Sequence, residues 1–244
     1  MPSGYNQFCP VAKGAEIIAT RWTPLILREL MIGERSFNDI HRGMPSMSRA
    51  LLAERLKQLE EDDVVEKRQR RDGKGFEYGL TPAGEALRGV VAMIGQWGLI
   101  YGRRRIRAGD QDDRVLLWGL RRRVDRTLIP DCRTVVRFEL SGVTRCRSAA
   151  SLSWLVLERS GVDACIKDPG YPVDAVISGP ITALIAVYLG HLGWREATRT
   201  HLAIEGDPRQ IGRWLRLDQV IGRDFPIVPP GKRTRGRSSA GAAE

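Results

Sequence analysis

The residues from Ser46 to Tyr78 constrain this chain more than any others. Leu52, Leu56 and Leu59 recur at i, i+4, i+7, a spacing that sets three leucines on one face of a helix. The pattern predicts a helix docked on a core by one side, with the other side left outward. After Val64 and Val65 the period becomes extended, and Glu66 to Tyr78 carries Lys67, Arg68, Arg70, Arg71 and Lys74 around Asp72-Gly73. Asp-Gly between two strand-like runs marks a hairpin. A surface helix and a solvated turn would account for either half alone. Side by side they have the layout of a winged helix-turn-helix, a helix for the major groove followed at once by a basic wing.

The upstream sequence supplies the rest of such a unit. Pro10 suits a first helical position, and Val11, Ala15, Ile18, Ala19 and Trp22 follow at helical spacing. Thr23-Pro24 predicts a second helix with a capping hydroxyl, ended by Gly33. Ser36 to Asp39 has the form of a capping box and opens a short third helix closed by Gly43. Thr81-Pro82 starts a longer helix through Tyr101, with an apolar stripe at Leu87, Val90, Val91, Ile94, Trp97 and Tyr101. A small three-helix core cannot cover that stripe entirely, so a homodimer is expected, with this helix and the N-terminal helix at its interface.

At 244 residues the chain exceeds one winged-helix unit and implies a second domain. Its 39 Lys+Arg against 29 Asp+Glu leave a formal net charge of +10, which favours polyanionic partners. No apolar run is long enough to span a bilayer, and MPSGYNQFCP lacks the pattern of a secretion signal, so a cytoplasmic protein with no membrane partner is expected. Cys9, Cys132, Cys146 and Cys165 show no C-x-x-C spacing, and His41, His191 and His201 do not cluster with them, so no metal site and no cofactor are expected. An enzyme is not expected either: G-x-S-x-G and a phosphate loop followed by Lys are both missing.

Residues 103–130 are arginine-rich and read as a linker or linking helix, with a short apolar patch from Val115 to Leu120. From about Cys132 short runs rich in branched and aromatic residues predict strands, and helices follow them: a mostly apolar one from Pro180 to Leu192, a short polar one from Trp194 to Thr200, and a last one from Pro208 to Leu217. The tail, 223–244, is small and basic, and disorder is expected there.

The stretches CPVAKGAEIIATRWTPLILREL, GERSFNDIHRGMPSMS, LLAERLKQLEEDDVVEKR and YGLTPAGEALRGVVAMIGQWG resemble the HxlR family of winged-helix regulators, relatives of the MarR group. One departure stands at Asp63, where that family commonly has glycine. The resemblance implies a homodimeric transcription factor, often a repressor, on a pseudo-palindromic double-stranded DNA operator. More weakly, DAVISGPITALIAVYLGHLGWREA followed by HLAIEGDPRQIGRWL resembles the sterol-carrier-protein fold, which builds an apolar cavity between a curved sheet and its helices. The fold class expected is therefore α+β: a winged helix-turn-helix over 1–102 and a smaller sterol-carrier-like domain over 131–222.

DNA-contact candidates follow from position. Ser36, Ser46 and Ser48 stand at helix starts, where each is either a phosphate or base partner or simply a cap. Arg49, in the first turn of the groove helix, can fork onto a guanine. Lys57 projects away from the leucine face and is either a phosphate contact or merely solvated, while Arg55 flanks that face and serves either a phosphate or an internal salt bridge. Arg68, Arg70, Arg71 and Lys74 on the wing can reach phosphates or a minor groove. Cys9 precedes a helix start with Lys13 one turn on, the setting of a redox-sensing thiolate or else of an inert small residue. Trp154, Leu184, Ile185, Tyr188 and Trp194 are candidates for the wall of a pocket taking a small apolar effector, or for plain core. The competing reading is a lipid or apolar-ligand carrier that uses its winged helix only to dimerise.

Overall fold

The computed structural model describes residues 4–33, 35–71, 73–102, 107–144 and 150–217; the tail expected to be disordered, Asp72 of the hairpin signal and Cys146 lie outside the described residues. The N-terminal domain runs α1 (Pro10–Ile18), α2 (Thr23–Leu30), β1 (Arg35–Ser36), α3 (Phe37–Arg42), α4 (Arg49–Glu61), β2 (Val65–Gln69), β3 (Phe76–Leu80), α5 (Pro82–Ala86) and α6 (Arg88–Tyr101). Its strands form a small antiparallel sheet in the order β1-β3-β2.

Leu52, Leu56 and Leu59 are all buried, and α4 packs them against Ile26, Leu27 and Leu30 of α2 and Ile40 of α3. Each such leucine contributes about 1.5–3 kcal/mol relative to leaving it in water, which fixes the face that α4 turns outward. Ser36, Ser48 and Thr81 cap α3, α4 and α5, each accepting a backbone N–H three residues on at 3.1–3.2 Å. Thr23 does not cap as expected. It is the first helical residue of α2 and is buried, while Trp22 holds the cap position at φ 79° with no side-chain bond.

The helix expected from Pro82 to Tyr101 is interrupted at Leu87, where a tighter turn bonds Leu87 N–H to Gly84 C=O at 3.1 Å. Beyond that turn α6 buries only Val91 and Gln96. Val90, Met93, Ile94, Trp97, Ile100 and Tyr101 are exposed, as are Phe8 and Val11 at the start of the chain. The apolar stripe therefore divides: Leu87 and Val91 pack on their own domain and the rest meets solvent.

The arginine-rich stretch read as a linker or linking helix supplies a helix to the second core. Asp113–Arg123 forms helix α7, and its Leu116, Leu117 and Leu120 belong to the same core as the sheet that follows. That sheet holds β4 (Thr134–Ser141), β5 (Ser151–Leu157), β6 (Val162–Cys165), β7 (Ala175–Pro180) and β8 (Ala203–Glu205) in the order β6-β5-β4-β7-β8. Only the β4–β7 pair is parallel. The chain must therefore cross the sheet between β6 and β7.

Helices α8 (Ile181–Tyr188), α9 (Trp194–Thr200) and α10 (Pro208–Trp214) join α7 over one sheet face, around Val136, Phe138, Leu155, Leu157 and Ile177. Strand alternation sends Val135, Trp154 and Val156 to the opposite face, where they form a separate buried cluster. The order strand, apolar helix, polar helix, strand, helix read from the sequence is present as β7, α8, α9, β8, α10. No helix of the described residues is long and apolar enough to cross a membrane.

Candidate nucleic-acid interface

Ser48 and the buried Met44 and Met47 fix where α4 starts, and His41 Nε2 lies 2.9 Å from the Met47 carbonyl oxygen, closing the turn between α3 and α4. Arg49 in the first turn of α4 is exposed, yet its guanidinium is held on two sides. Nη2 donates to Asn38 Oδ1 at 2.7 Å, and the group stacks over the Phe37 ring at 5.0 Å. Asn38 and Phe37 were not legible as site residues, although both sit in the capping segment of α3. A long side chain held this way loses less rotamer freedom when it reaches a base edge.

The other candidates on this surface separate. Ser46 is exposed in the turn; Ser48 is exposed and caps α4; Ser36 is half-buried, with its Oγ donating to Asp39 Oδ2 at 2.7 Å. The two serines at helix starts are thus committed as caps. Arg55 is half-buried, donates to Gln58 Oε1 at 2.6 Å and lines a groove of about 930 Å3 between α1 and α4. Among the described residues, Arg55 forms no salt bridge. Lys57 lines the same groove and pairs with Glu61 at 3.5 Å, both largely exposed.

Strands β2 and β3 pair antiparallel as the expected hairpin. Arg70 N–H bonds Gly75 C=O at 3.0 Å, and within the loop Gly73 adopts φ +68°, a backbone region that favours glycine. Lys67 extends over the Phe76 ring at 4.3 Å, and Arg68 pairs with Glu66 at 2.5 Å. Arg70, Arg71 and Lys74 are exposed at the tip. Arg49 rests on Phe37, which directly follows β1, and β1 pairs with β3 of the wing, Ser36 opposite Glu77.

A second cluster, missed in the sequence, joins the two domains. Glu29 of α2 is only 1% exposed, and its carboxylate accepts from Arg28 Nη2 at 2.7 Å, Trp118 Nε1 at 3.1 Å and Arg122 Nη1. Trp118 and Arg122 both belong to α7. Burial by itself drives the Glu29 carboxyl upward, but the Arg122 and Arg28 guanidinia and the indole N–H hold it below the ordinary carboxylate range. Gly43 allows the approach, since a Cβ there would lie 2.3 Å from Glu29 Cδ. Arg28 Nη2 also donates to Gly43 C=O at 3.2 Å, which ties the cluster to the turn that leads into α4. The available signal was an acid on the apolar side of α2, between Ile26 and Leu30.

Cys9 sits at the N-cap of α1, half-exposed. The backbone N–H groups of Ala12 and Val11 hold its thiol below the ordinary value. Lys13 is not a contributor; it pairs with Glu16 at 3.1 Å.

Of the five pocket candidates, four lie in or against one core, and Trp154 lies apart from them. Trp154 lies on the far face of the sheet, whereas Leu184 and Trp194 are sealed in the main core, the latter with Nε1 donating to Pro208 C=O at 2.8 Å. Ile185 and Tyr188 are half-buried on α8, and Tyr188 lies under the Arg123 guanidinium at 5.0 Å.

Comparison with known proteins places the first domain. The family model described as HxlR-like helix-turn-helix matches residues 17–105. The uncharacterized HTH-type transcriptional regulator YvaP of Bacillus subtilis (strain 168) is 34% identical over 94 residues, 38% of this chain and 87% of YvaP. The HTH-type transcriptional regulator YodB of the same organism is 35% identical over 94 residues, covering 38% of this chain and 84% of YodB. The solved structure of reduced YodB matches 39% of this chain and 95% of its own, at 33% identity and a TM-score of 0.35. The chain belongs to the HxlR-like helix-turn-helix family through its N-terminal domain.

Proposed function

We propose that this protein is a homodimeric, sequence-specific DNA-binding transcriptional regulator, a repressor, whose C-terminal domain senses a small apolar effector. The observation that carries the DNA-binding part is Arg49, exposed at the start of α4 and held ready by Asn38 and Phe37 beside a cationic wing. In this reading Arg49 specifies base pairs, while Arg68, Arg70, Arg71 and Lys74 position the duplex through its phosphates. Ser46 and Lys57 are peripheral contacts, and Ser36, Ser48 and Arg55 act through the placement of α3 and α4.

Dimerisation is supported by α6, whose outward residues Val90, Met93, Ile94 and Trp97 leave an apolar stripe exposed. Effector sensing is supported by α7, which lies in the C-terminal core and also grips Glu29 of the winged domain. No catalytic role is proposed. Selection of bound duplexes from a random pool tests the reading. A two-fold repeat with half-sites about one helical turn apart is expected, and recovery of no consensus would sink it. Cys9 is proposed as an oxidant-sensitive thiol, and a Cys9→Ser protein that still releases its operator on oxidation would remove that element.

A further inference from the structure

Where the two domains meet, a cleft of about 430 Å3 holds more positive charge than its surroundings neutralise. That volume lies within the range of small-molecule sites. Four arginines line it: Arg35 from β1 of the winged domain, Arg121 and Arg122 from α7, and Arg126 beyond α7. Among the described residues, Arg122 is the one of the four held in an ion pair, with Glu29. Arg121 donates through Nε to Val162 C=O at 2.6 Å and stacks over Trp118 at 4.6 Å, while Arg126 donates to Ser160 C=O at 3.2 Å. Those acceptors carry no net charge. Among the described residues, the Arg35 side chain has neither a hydrogen bond nor an ion pair, and its interaction with Arg121 is repulsive. Burial, and after it the charges of Arg35 and Arg42, lower the Arg121 pKa, while Asp39 and Asp163 offset part of that effect.

We propose that this cleft binds a small anionic ligand, a phosphate or carboxylate group on an apolar body, held by Arg35 from one domain and Arg121 and Arg126 from the other. Arginine forks match both anions in a bidentate manner, and Ile32, Val124 and Val162 supply apolar wall for the body of the ligand. A concave cleft roofed by two domains suits a compact molecule better than the convex backbone of a duplex. A ligand gripped from both sides also ties the domains together, in addition to the Glu29 cluster. The inference stands apart from the DNA-binding reading and is tested without DNA.

The full chain is titrated calorimetrically at low salt with phenyl phosphate, with benzoate and with benzyl alcohol as the uncharged counterpart. Saturable binding of at least one acid and none of the alcohol is expected, and the tighter acid identifies the headgroup. Arg35→Gln is expected to weaken that binding by about tenfold or more with an unchanged melting temperature, since the side chain supports nothing in the fold. Arg121→Gln, which also loses the Trp118 stack, is the second variant, with the same weakening expected. The proposal fails if neither acid saturates, if the alcohol binds equally well, or if Arg35→Gln binds like the parent. It also fails if Arg35→Gln and Arg126→Gln weaken duplex binding while both acids remain unbound, because the cleft would then be a track for the DNA backbone.

Discussion

Charge is used in two opposite ways at the two ends of α2 and α4. On the surface proposed to read DNA, Arg49 and Arg68 are exposed, and each is tethered to a polar or acidic neighbour that water could replace. Exposed pairs of this kind are worth about 0–1 kcal/mol, so they exchange for a phosphate or base edge at little cost to folding. At the domain seam Glu29 is closed off from water, and Arg28, Trp118 and Arg122 fill its acceptor sites. A buried pair adds little net stability when intact, but breaking it strands a charge. The first surface is therefore free to change without unfolding the protein, and the second is not.

The sharpest way to break this contrast is at Glu29. Glu29→Ala is expected to destabilise the chain by about 3–5 kcal/mol in denaturant titrations, because Arg122 loses the anion it pairs with while α7 keeps it buried. A loss below about 1 kcal/mol would mean that the seam opens readily in solution. The same group gives a pH test. Its folded pKa lies below its unfolded value, so its contribution is fully present above the ordinary glutamate range near 4.5 and is lost as pH falls through the lower folded value. The stability gap between the parent and Glu29→Gln should therefore stay constant from neutral pH down to that range and narrow below it. A gap that widens on acidification would reverse the assigned sign.

On the recognition surface the effects move from stability to binding. Arg49→Ala is expected to weaken operator binding by about 1–3 kcal/mol and to relax preference at one base pair, with a stability change within about 0.5 kcal/mol. Arg71→Ala, at the wing tip, is expected to weaken all sequences alike and to reduce the salt slope by about 1, a smaller effect at physiological salt. Competition binding on specific and scrambled duplexes across a salt series separates the two. Identical profiles for both variants would contradict the division between specifying and positioning contacts.

What the sequence made legible follows the same line. The leucine face of α4, the caps at Ser36, Ser48 and Thr81 and the basic wing are set by residues within a few positions of one another, and periodicity and capping chemistry read that range directly. The packing of the Val115–Leu120 patch was not legible, because the leucines of α7 find their partners in strands that begin at Thr134, and a short apolar patch does not say what it will pack against. The Glu29–Arg122 contact spans 93 residues and left only a misplaced acid as its trace. The pocket candidates were split by strand alternation: Trp154 and Leu155 are neighbours in sequence and lie on opposite faces of the sheet. Thr23 misled because Trp22 occupies a left-handed conformation that a hydroxyl and a proline do not announce.

Asp63, where the resemblance led to an expectation of glycine, gives the smallest expected effect. It follows the C-cap of α4 at φ +56°, while Val64 N–H bonds Leu59 C=O at 2.9 Å, the pattern of a helix closed by a left-handed residue. Glycine takes that conformation freely, whereas a side chain there costs about 1–2 kcal/mol, less for aspartate, which tolerates it better than most residues. Against this, glycine loosens the unfolded chain by about 0.4–1 kcal/mol. Asp63→Gly is therefore expected to stabilise by only about 0.5 kcal/mol and to leave operator affinity unchanged. A loss of stability in the same denaturant titration would show that the Asp63 side chain supports the α4–β2 turn.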